Sequence, residues 1–246
     1  MKYKTELHCH TAEASSCAHE TAAATVEKYI RHGYSTLVLT NHFSPGEQEA
    51  HGLSFREEAE RVWRAYELAK AYAGDRLNVL FGAELCLKGA RNDYLLFGVT
   101  RSFLLEHEGI FSMRVWDVHD MCLDEGILMI QAHPMRNNMT VIDPENVDGY
   151  EVFNGDMDSD SQNEVALALA TYLKESGKTL IMTSGSDHHN PDHLPTGGIT
   201  TDEPITSTDQ LISVLRSGEF ELIRSDLAYR RLWGAKTREK EASGRA

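Results

Sequence analysis

The sequence predicts an α/β protein whose strands close into a barrel with the helices outside. Short apolar runs alternate with amphipathic segments along nearly the whole chain, which is typical of strands that each lead into a helix and form a mostly parallel sheet. A chain of 246 residues has the usual length of one (β/α) barrel. No glycine-rich phosphate loop follows the first strand, which disfavours an open nucleotide-binding sheet. We therefore expect a closed or distorted barrel of seven or eight strands.

Eight segments have the short apolar character of buried strands. In chain order they read TELHC, STLVLTN, NVLFGAEL, DYLLFGV, ILMIQAH, GYEVFNG, TLIMTSGSD and FELIRS. The connection between NVLFGAEL and DYLLFGV is too short for a helix, so we expect a hairpin at that point.

Five segments between these strands have the apolar spacing of amphipathic helices. They read TAAATVEKYIRHG, SFREEAERVWRAYELAKAYAG, VWDVHDMCLDEG, SQNEVALALATYLKESG and STDQLISVLRSG. Several open on Ser or Thr and close on Gly, as helix caps do. No linker or internal repeat divides the chain, so we expect one domain over residues 1–229, followed by a basic, polar and frayed tail at 230–246.

Composition limits the classes of partner. The net charge of −14 disfavours an extended nucleic-acid surface, which needs clustered Lys and Arg, but it is compatible with a small anionic substrate held by bound cations. Four scattered cysteines without a CxxC pair do not form a disulfide framework, and no segment has the length and apolarity of a membrane span. We therefore expect a cytoplasmic protein without a membrane partner.

Ionisable side chains stand at the ends of the predicted strands. They are His8 and His10 on the first strand, His42 on the second, Glu84 on the third, His133 on ILMIQAH, and Asp187, His188 and His189 on TLIMTSGSD. The carboxyl ends of barrel strands open on one face, so these residues should converge. Residues two apart on a strand share a side, which pairs His8 with His10 and Asp187 with His189. Cys9 should then point into the barrel wall. His188 should either point away from the converging residues or line the rim of the barrel mouth.

Imidazole and carboxylate ligands without thiolates suit Zn²⁺, Mn²⁺ or Fe²⁺. The set is too large for one tetrahedral ion, so we expect two or three divalent ions with a bridging carboxylate. Cys17 has no base motif beside it and is interpreted as a loop or packing residue. The histidines in helical or loop contexts are interpreted as structural: His32, His51, His107 and His119.

The motifs HCH, TNH, GAE, AHP and SDHH occur in this order between residues 8 and 189. As a set they resemble the polymerase and histidinol phosphatase (PHP) superfamily, and the resemblance covers most of the chain. It implies a distorted (β/α)7 barrel of the TIM-like PHP type, up to three metal ions, and hydrolysis of phosphoesters.

The resemblance also implies how the ligands are shared. One ion would take His8, His10, Glu84 and Asp187, a second would share Glu84 and take His133, and a third would take His19, His42 and His189. His19 follows from CAH, which is similar to the CGH of some members, and Glu13 is a nearby carboxylate that competes for that role.

Two positions depart from the family pattern. The second motif is usually TDH, and here Asn41 replaces the aspartate, which we expect outside the ligand set. Leu95 lies near a position where many members carry a histidine ligand, so the second ion would need another group such as Asp93.

The expected reaction is in-line attack of a metal-bridging hydroxide on a small phosphomonoester, such as histidinol phosphate or a nucleotide. His188 and His193 are candidate acids for the leaving alcohol. Arg136 follows AHP and is either a phosphate clamp or a surface residue. Two other functions stay open: hydrolysis of C–N bonds, as in metal-dependent amidohydrolases, and a non-catalytic metal-binding PHP scaffold.

Overall fold

The computed structural model describes residues 2–229, so the predicted tail at 230–246 lies outside the described residues. Its strands are β1 (Tyr3–Glu6), β2 (Tyr34–Leu39), β3 (His42–Phe43), β4 (Asn78–Cys86), β5 (Asp93–Phe97), β6 (Leu128–Gln131), β7 (Gly149–Asn154), β8 (Ile181–Gly185), β9 (Ile199–Thr201) and β10 (Glu221–Leu222). Its helices are α1 (Ala22–Arg31), α2 (Pro45–His51), α3 (Phe55–Ala73), α4 (Arg101–Glu106), α5 (Val115–Asp124), α6 (Asn163–Glu175) and α7 (Thr208–Ser217), with a 3₁₀ turn at Ile110–Ser112.

The strands form one curved sheet in the order β10-β9-β1-β2-β4-β5-β6-β7-β8, with β3 paired to β4. Neighbouring strands from β1 to β4 and from β6 to β8 run parallel. Strand β5 is antiparallel to both β4 and β6, which is the predicted hairpin. The mixed α/β architecture and the nearly closed barrel confirm the predicted fold class.

Local sequence explains where the helices begin. Thr21 and Ser54 have extended backbone and accept hydrogen bonds from the first turns of α1 and α3, and Glu57 completes a capping box with Ser54. Helix α6 starts at Asn163 without a side-chain cap, and the Ser161 hydroxyl donates to Asn154 Oδ1.

Four short elements were not predicted: β3, β9, α2 and α4. Each spans at most seven residues, so none repeats an apolar pattern often enough to be recognised in the sequence. Strand β9 matters most, because it pairs antiparallel with both β1 and β10 and extends the sheet beyond β1.

Two apolar cores lie on the two sides of the sheet. The inner core fills the barrel with side chains such as Leu7, Val38 and Leu95, and it also contains Leu211 and Leu215 of α7. The outer core lies between the sheet and the remaining helices and contains Cys9, as the strand alternation predicts.

At the carboxyl end of the parallel strands the barrel closes through the segments that follow β1 and β8. Asp187 N donates to His8 O at 2.8 Å, and His10 N donates to His188 O at 3.0 Å. Glu6 is fully buried and accepts hydrogen bonds from the backbone of His8 (2.9 Å) and of Ser186 (2.8 Å). The closure therefore sets the two segments that carry the predicted metal ligands side by side.

Gly185 permits this close approach. A Cβ atom added there would lie 2.3 Å from the His8 Cβ and 2.6 Å from Glu151 Oε1. Both distances are shorter than real Cβ contacts, so a side chain at residue 185 would displace the segment that carries His8.

Within residues 2–229 no helix combines the length and the apolar character that crossing a lipid bilayer requires.

Candidate metal centre

Seven of the eight predicted metal ligands come together at the mouth of the barrel. They form three overlapping groups whose potential ligand atoms lie within 4.8 Å of one another: His8, Glu84 and His133; His8, His10 and Asp187; and His10, His42 and His189. His8 and His10 each belong to two groups, so the three groups form one continuous cluster. Ligand groups this close together suit a centre of two or three closely spaced ions.

Glu84 lies at the middle of the cluster and is fully buried. Its Oε1 is 3.2 Å from His8 Nε2 and 3.3 Å from His133 Nε2, and its Oε2 is 3.3 Å from His10 Nε2 and 2.8 Å from His42 Nδ1. One carboxylate thus faces four imidazoles, which is the geometry of a bridging ligand.

Asp187 closes the other side of the cluster. Its Oδ1 is 3.3 Å from both His8 Nε2 and His10 Nε2, and these two nitrogens are 3.1 Å apart. Ligands about 2.0–2.1 Å from one tetrahedral ion are separated from each other by about 3.3 Å. His8, His10 and Asp187 therefore fit a single first-row ion.

Hydrogen bonds at Nδ1 hold three of the rings so that Nε2 faces the centre. His8 Nδ1 lies 2.9 Å from Glu151 Oε1, and His10 Nδ1 lies 3.1 Å from Ser15 Oγ. His189 Nδ1 donates to the Asp187 carbonyl oxygen at 2.9 Å. Partners of this kind fix the tautomer and orientation of metal-binding histidines.

In this cluster the attraction between imidazoles and carboxylates outweighs the effect of burial on their pKa values. Burial by itself would raise the pKa of Glu84, but His8 and His42 hold that pKa well below its ordinary value. Burial likewise opposes protonation of His8, yet Asp187, Glu151 and Glu84 hold the pKa of His8 well above its ordinary value. The buried carboxylates therefore keep positive charge beside them, and a metal ion would displace these protons on binding.

The pKa values of His189 and His10 are shifted in opposite directions. Burial lowers the pKa of His189, but Asp187 more than offsets it and raises the pKa to about 9. His10 behaves oppositely, because burial and then repulsion from His189 and His42 hold its pKa well below its ordinary value. A neutral His10 between two cationic rings is ready to donate its nitrogen lone pair.

His19 does not join the cluster. Its side chain is exposed, and its backbone N–H donates to His189 O at 2.8 Å. Glu13 does not replace it, because its carboxylate accepts a hydrogen bond from Ala22 N at the start of α1.

The loop instead brings Cys17 to His42 and His189, and Cys17 lines the same cleft. Burial raises the pKa of the Cys17 thiol, but the two rings lower it, to about 7.

Leu95 points into the inner core and offers no ligand. Strand β5 runs antiparallel to β4, with Leu95 opposite Glu84 and Asp93 opposite Cys86, so Asp93 opens the strand at the mouth. Asp93 Oδ2 lies 3.9 Å from His133 Nε2 and lines the cleft, which is consistent with Asp93 as the substitute group.

The two candidate acids lie in different environments. His188 is fully buried, points away from the cleft and pairs through Nε2 with Glu20, as expected from its alternation with Asp187. His193 lines the cleft, but its Nε2 pairs with Asp158 Oδ2 at 2.8 Å and its Nδ1 accepts from His189 N at 3.5 Å. Both rings are thus held by protein partners, and of the two only His193 lines the cleft.

Arg136 lines the cleft and is not a surface residue. Its Nη2 lies 2.8 Å from Asp187 Oδ2 and donates to Asn154 Oδ1 at 2.9 Å, and its Nε donates to Ser161 Oγ at 3.3 Å. These contacts hold the guanidinium beside the metal cluster, and within residues 2–229 they leave Nη1 for a ligand.

Backbone conformation marks two of the ligand positions. The backbone φ angle is 30° at His133 and 50° at Asp187, and residues other than glycine rarely adopt such positive values. Such conformations persist where the surrounding structure enforces them, and they are concentrated at functional sites.

Glu151 was missed by the sequence reasoning. Its Oε1 holds His8, while its Oε2 accepts from His133 N at 3.0 Å and from Asn154 Nδ2 at 2.8 Å. The signal was present, because Glu151 is a lone carboxylate inside the otherwise apolar strand GYEVFNG. A buried strand carries a charge only where that charge has partners.

The cluster forms the floor of a cleft of about 370 Å³. Besides the metal cluster its walls carry Cys17, Asp93, Arg136, Asp156, Asp158, Asn190 and His193. The volume suits a small molecule.

No protein-family model and no curated protein sequence matches this chain. Among solved structures, it is similar to PsfC from Pseudomonas syringae, at 16% identity and a TM-score of 0.66, covering 98% of this chain and 99% of PsfC. It is also similar to a two-domain protein from Bacteroides vulgatus containing a predicted PHP-like metal-dependent phosphoesterase, at 17% identity and a TM-score of 0.65, covering 92% of this chain. A third similar structure is a lesion-specific endonuclease, EndoQ, from Pyrococcus furiosus, at 13% identity and a TM-score of 0.60, covering 90% of this chain.

The likeness confirms the fold that the sequence motifs predicted, that of PHP-type domains. The chain spans 66% of the length of the two-domain protein and 58% of the endonuclease.

Proposed function

We propose that the protein is a metal-dependent phosphoesterase that hydrolyses a small phosphomonoester. The main support is the cluster itself, in which Glu84 and Asp187 are ringed by imidazole nitrogens at 2.8–3.3 Å on the floor of one cleft. Seven converging His, Asp and Glu side chains, oriented by protein partners, fit divalent ions and have no comparable use in a structural core.

Divalent ions at such a site supply a water with a pKa near 7 and neutralise charge on phosphoryl oxygens. The chain's own residues do the rest. Glu84 and Asp187 would hold the ions together with the imidazoles around them, and Glu151 Oε1 holds His8 Nδ1 so that Nε2 faces the cluster. Arg136 would bind a phosphoryl oxygen through Nη1, since its other nitrogens contact Asp187, Asn154 and Ser161.

The charges of the cleft favour a small substrate over a nucleic acid. Arg136 is the one Lys or Arg side chain on the walls within the described residues, and it is paired with Asp187 and Asp156. Asp158 adds a further carboxylate to the rim. A phosphodiester backbone needs several cations along its path, which this rim does not offer.

The test is an assay of the metal-stripped protein after reconstitution with Mn²⁺, Zn²⁺ or Fe²⁺. Substrates are p-nitrophenyl phosphate, bis(p-nitrophenyl) phosphate, a cyclic amide and a DNA duplex with an abasic site. We expect metal-dependent turnover of the monoester above all, abolished by chelation and restored by metal. Turnover of the amide alone, preferred cleavage of the duplex, or failure to bind any metal would each contradict the proposal, the last favouring a scaffold.

Replacing Glu151 with Gln should weaken metal binding by about 10–100-fold, because partners that orient metal-binding histidines have effects of that size. The amide removes the charge that His8 Nδ1 faces, while its oxygen can still accept from His133 N. Competition with a chromophoric chelator gives the affinity. Glu145→Gln is the matched control, since Glu145 is exposed and pairs only with Lys178 among the contacts described. Equal affinities in the two variants would show that Glu151 does not support the site.

A further inference from the structure

We propose that Lys28 on helix α1 is a positioning residue that anchors residues 190–193 (the cleft-wall turn) beside the substrate. The inference rests on the proposed function, because Asn190 and His193 of this turn line the cleft in which the phosphomonoester would bind. Among residues 2–229 Lys28 does not line the cleft itself, so it acts through the turn and not on the substrate.

The first support is the set of oxygens around the Lys28 ammonium. Nζ donates to Pro191 O at 2.8 Å and to His193 O at 3.0 Å, and it lies 2.7 Å from Glu20 Oε2. An ammonium has three N–H groups, and these three oxygens account for all of them. Asn190 O lies farther away, 3.4 Å from Nζ. One side chain on α1 thus gathers the carbonyl oxygens of a whole turn.

The second support is the shape of the cleft-wall turn. His193 N donates to Asn190 O at 2.9 Å, which closes the turn. On the cleft side His193 Nε2 lies 2.8 Å from Asp158 Oδ2, and Asn190 Nδ2 donates to the same oxygen at 3.2 Å. The turn therefore lies between Lys28 on one side and the substrate space on the other. A shift of its backbone away from α1 would move both side chains in the cleft.

The third support is the burial of the ion pair between Lys28 and Glu20, whose side chains are only 12% and 9% exposed. An exposed pair contributes little, whereas breaking a buried pair leaves a charge without its partner. Lys28 lies in the last turn of α1, where a lysine on the surface would merely complement the helix dipole. Here the ammonium is instead enclosed by one carboxylate and three carbonyl oxygens.

Glu20 extends the anchor toward the barrel closure. Its Oε2 also pairs with Nε2 of the fully buried His188 at 2.5 Å. His188 immediately precedes the predicted ligand His189, and the cleft-wall turn follows it. The ion pair of Lys28 and Glu20 therefore holds the chain on both sides of His189.

The experiment compares the full-length protein with Lys28→Met, Lys28→Arg and the double variant Lys28→Met/Glu20→Gln, each reconstituted with metal. We expect kcat/KM for p-nitrophenyl phosphate to fall by about 10–100-fold in Lys28→Met, because a misplacement of about 1 Å beside the substrate has effects of that size. KM should change more than kcat, since the cleft-wall turn carries none of the predicted metal ligands. Lys28→Arg should recover part of the loss, because a guanidinium also donates to carbonyl oxygens.

Lys178→Met is the matched control, because Lys178 forms an exposed pair with Glu145. The double variant leaves no buried carboxylate without its lysine, so it keeps the test valid if Lys28→Met does not fold, which circular dichroism shows. Hydrogen–deuterium exchange of the amides of residues 189–193 gives a readout that does not depend on turnover. We expect faster exchange there in the double variant and no change in the control.

A folded double variant with the KM of the parent protein overturns the inference, whether or not its exchange is faster. A loss of activity no larger than the unfolded fraction also overturns it, because the role of Lys28 would then be structural only. Absence of phosphomonoester turnover in the parent protein contradicts the proposed function instead. In that case faster exchange at residues 189–193 still supports the anchor, and unchanged exchange overturns it.

Discussion

Replacing Glu84 with Gln should eliminate the metal-dependent activity. Among residues 2–229 Glu84 is the one side chain whose two oxygens face four imidazoles, so the substitution would affect every ion that these groups hold. We expect kcat/KM to fall by about a thousandfold, the upper part of the range for losing one preorganised electrostatic group. Metal content should fall with it, because an amide does not replace the bridging charge.

Kinetics and metal analysis on the same preparations check this result. Glu221→Gln is a suitable control, since Glu221 is exposed and pairs with Lys2 far from the mouth. Circular dichroism shows whether the variant is folded. A folded Glu84→Gln protein with normal metal content and turnover would refute the assignment of Glu84 as the bridging ligand.

The second large effect is expected from Gly185→Ala. The added methyl group would lie 2.3 Å from His8 Cβ and 2.6 Å from Glu151 Oε1, and neither atom has room to withdraw, since both residues are almost fully buried. We expect the free energy of unfolding of the metal-free protein to fall by about 3 kcal/mol, the upper part of the usual cost of overpacking. Metal affinity should fall as well, because His8 is displaced.

Urea unfolding of the metal-free proteins measures the first effect, and chelator competition measures the second. Gly109→Ala is the matched control. A Cβ at residue 109 meets nothing within 4 Å, and its φ of −83° suits alanine. That variant should be unchanged or more stable by about 0.4–1 kcal/mol. If the two variants unfold alike, the close packing of β8 against the segment after β1 does not hold the site.

The sequence predicted the convergence of the cluster because strand ends are readable from apolar runs, and barrel topology brings those ends together. The alternation along a strand also separated Cys9 from His8 and His10, and it favoured a His188 that turns away from Asp187.

Loop residues followed no such rule. The path from Thr11 to Glu20 depends on contacts such as Ser16 with Glu47, which are distant in sequence, so neither periodicity nor a family motif predicted that Cys17 lines the cleft while His19 is exposed outside the cluster. Arg136 was equally ambiguous, because its partners Asn154, Ser161 and Asp187 lie 18 to 51 residues away. Contacts of that range are set by tertiary packing and leave no local pattern.

The reversed direction of β5 has a consequence for how new specificities can arise in this protein. In a regular barrel each loop at the mouth leads into a helix, so changing the loop also disturbs the docking of that helix. Here β4 and β5 are joined at the mouth by a short turn whose residues 88–91 are exposed, while Lys88 N is anchored to Phe111 O at 2.7 Å. Directed variation of this turn offers a route to altered selectivity that leaves every ligand-bearing strand and every helix in place.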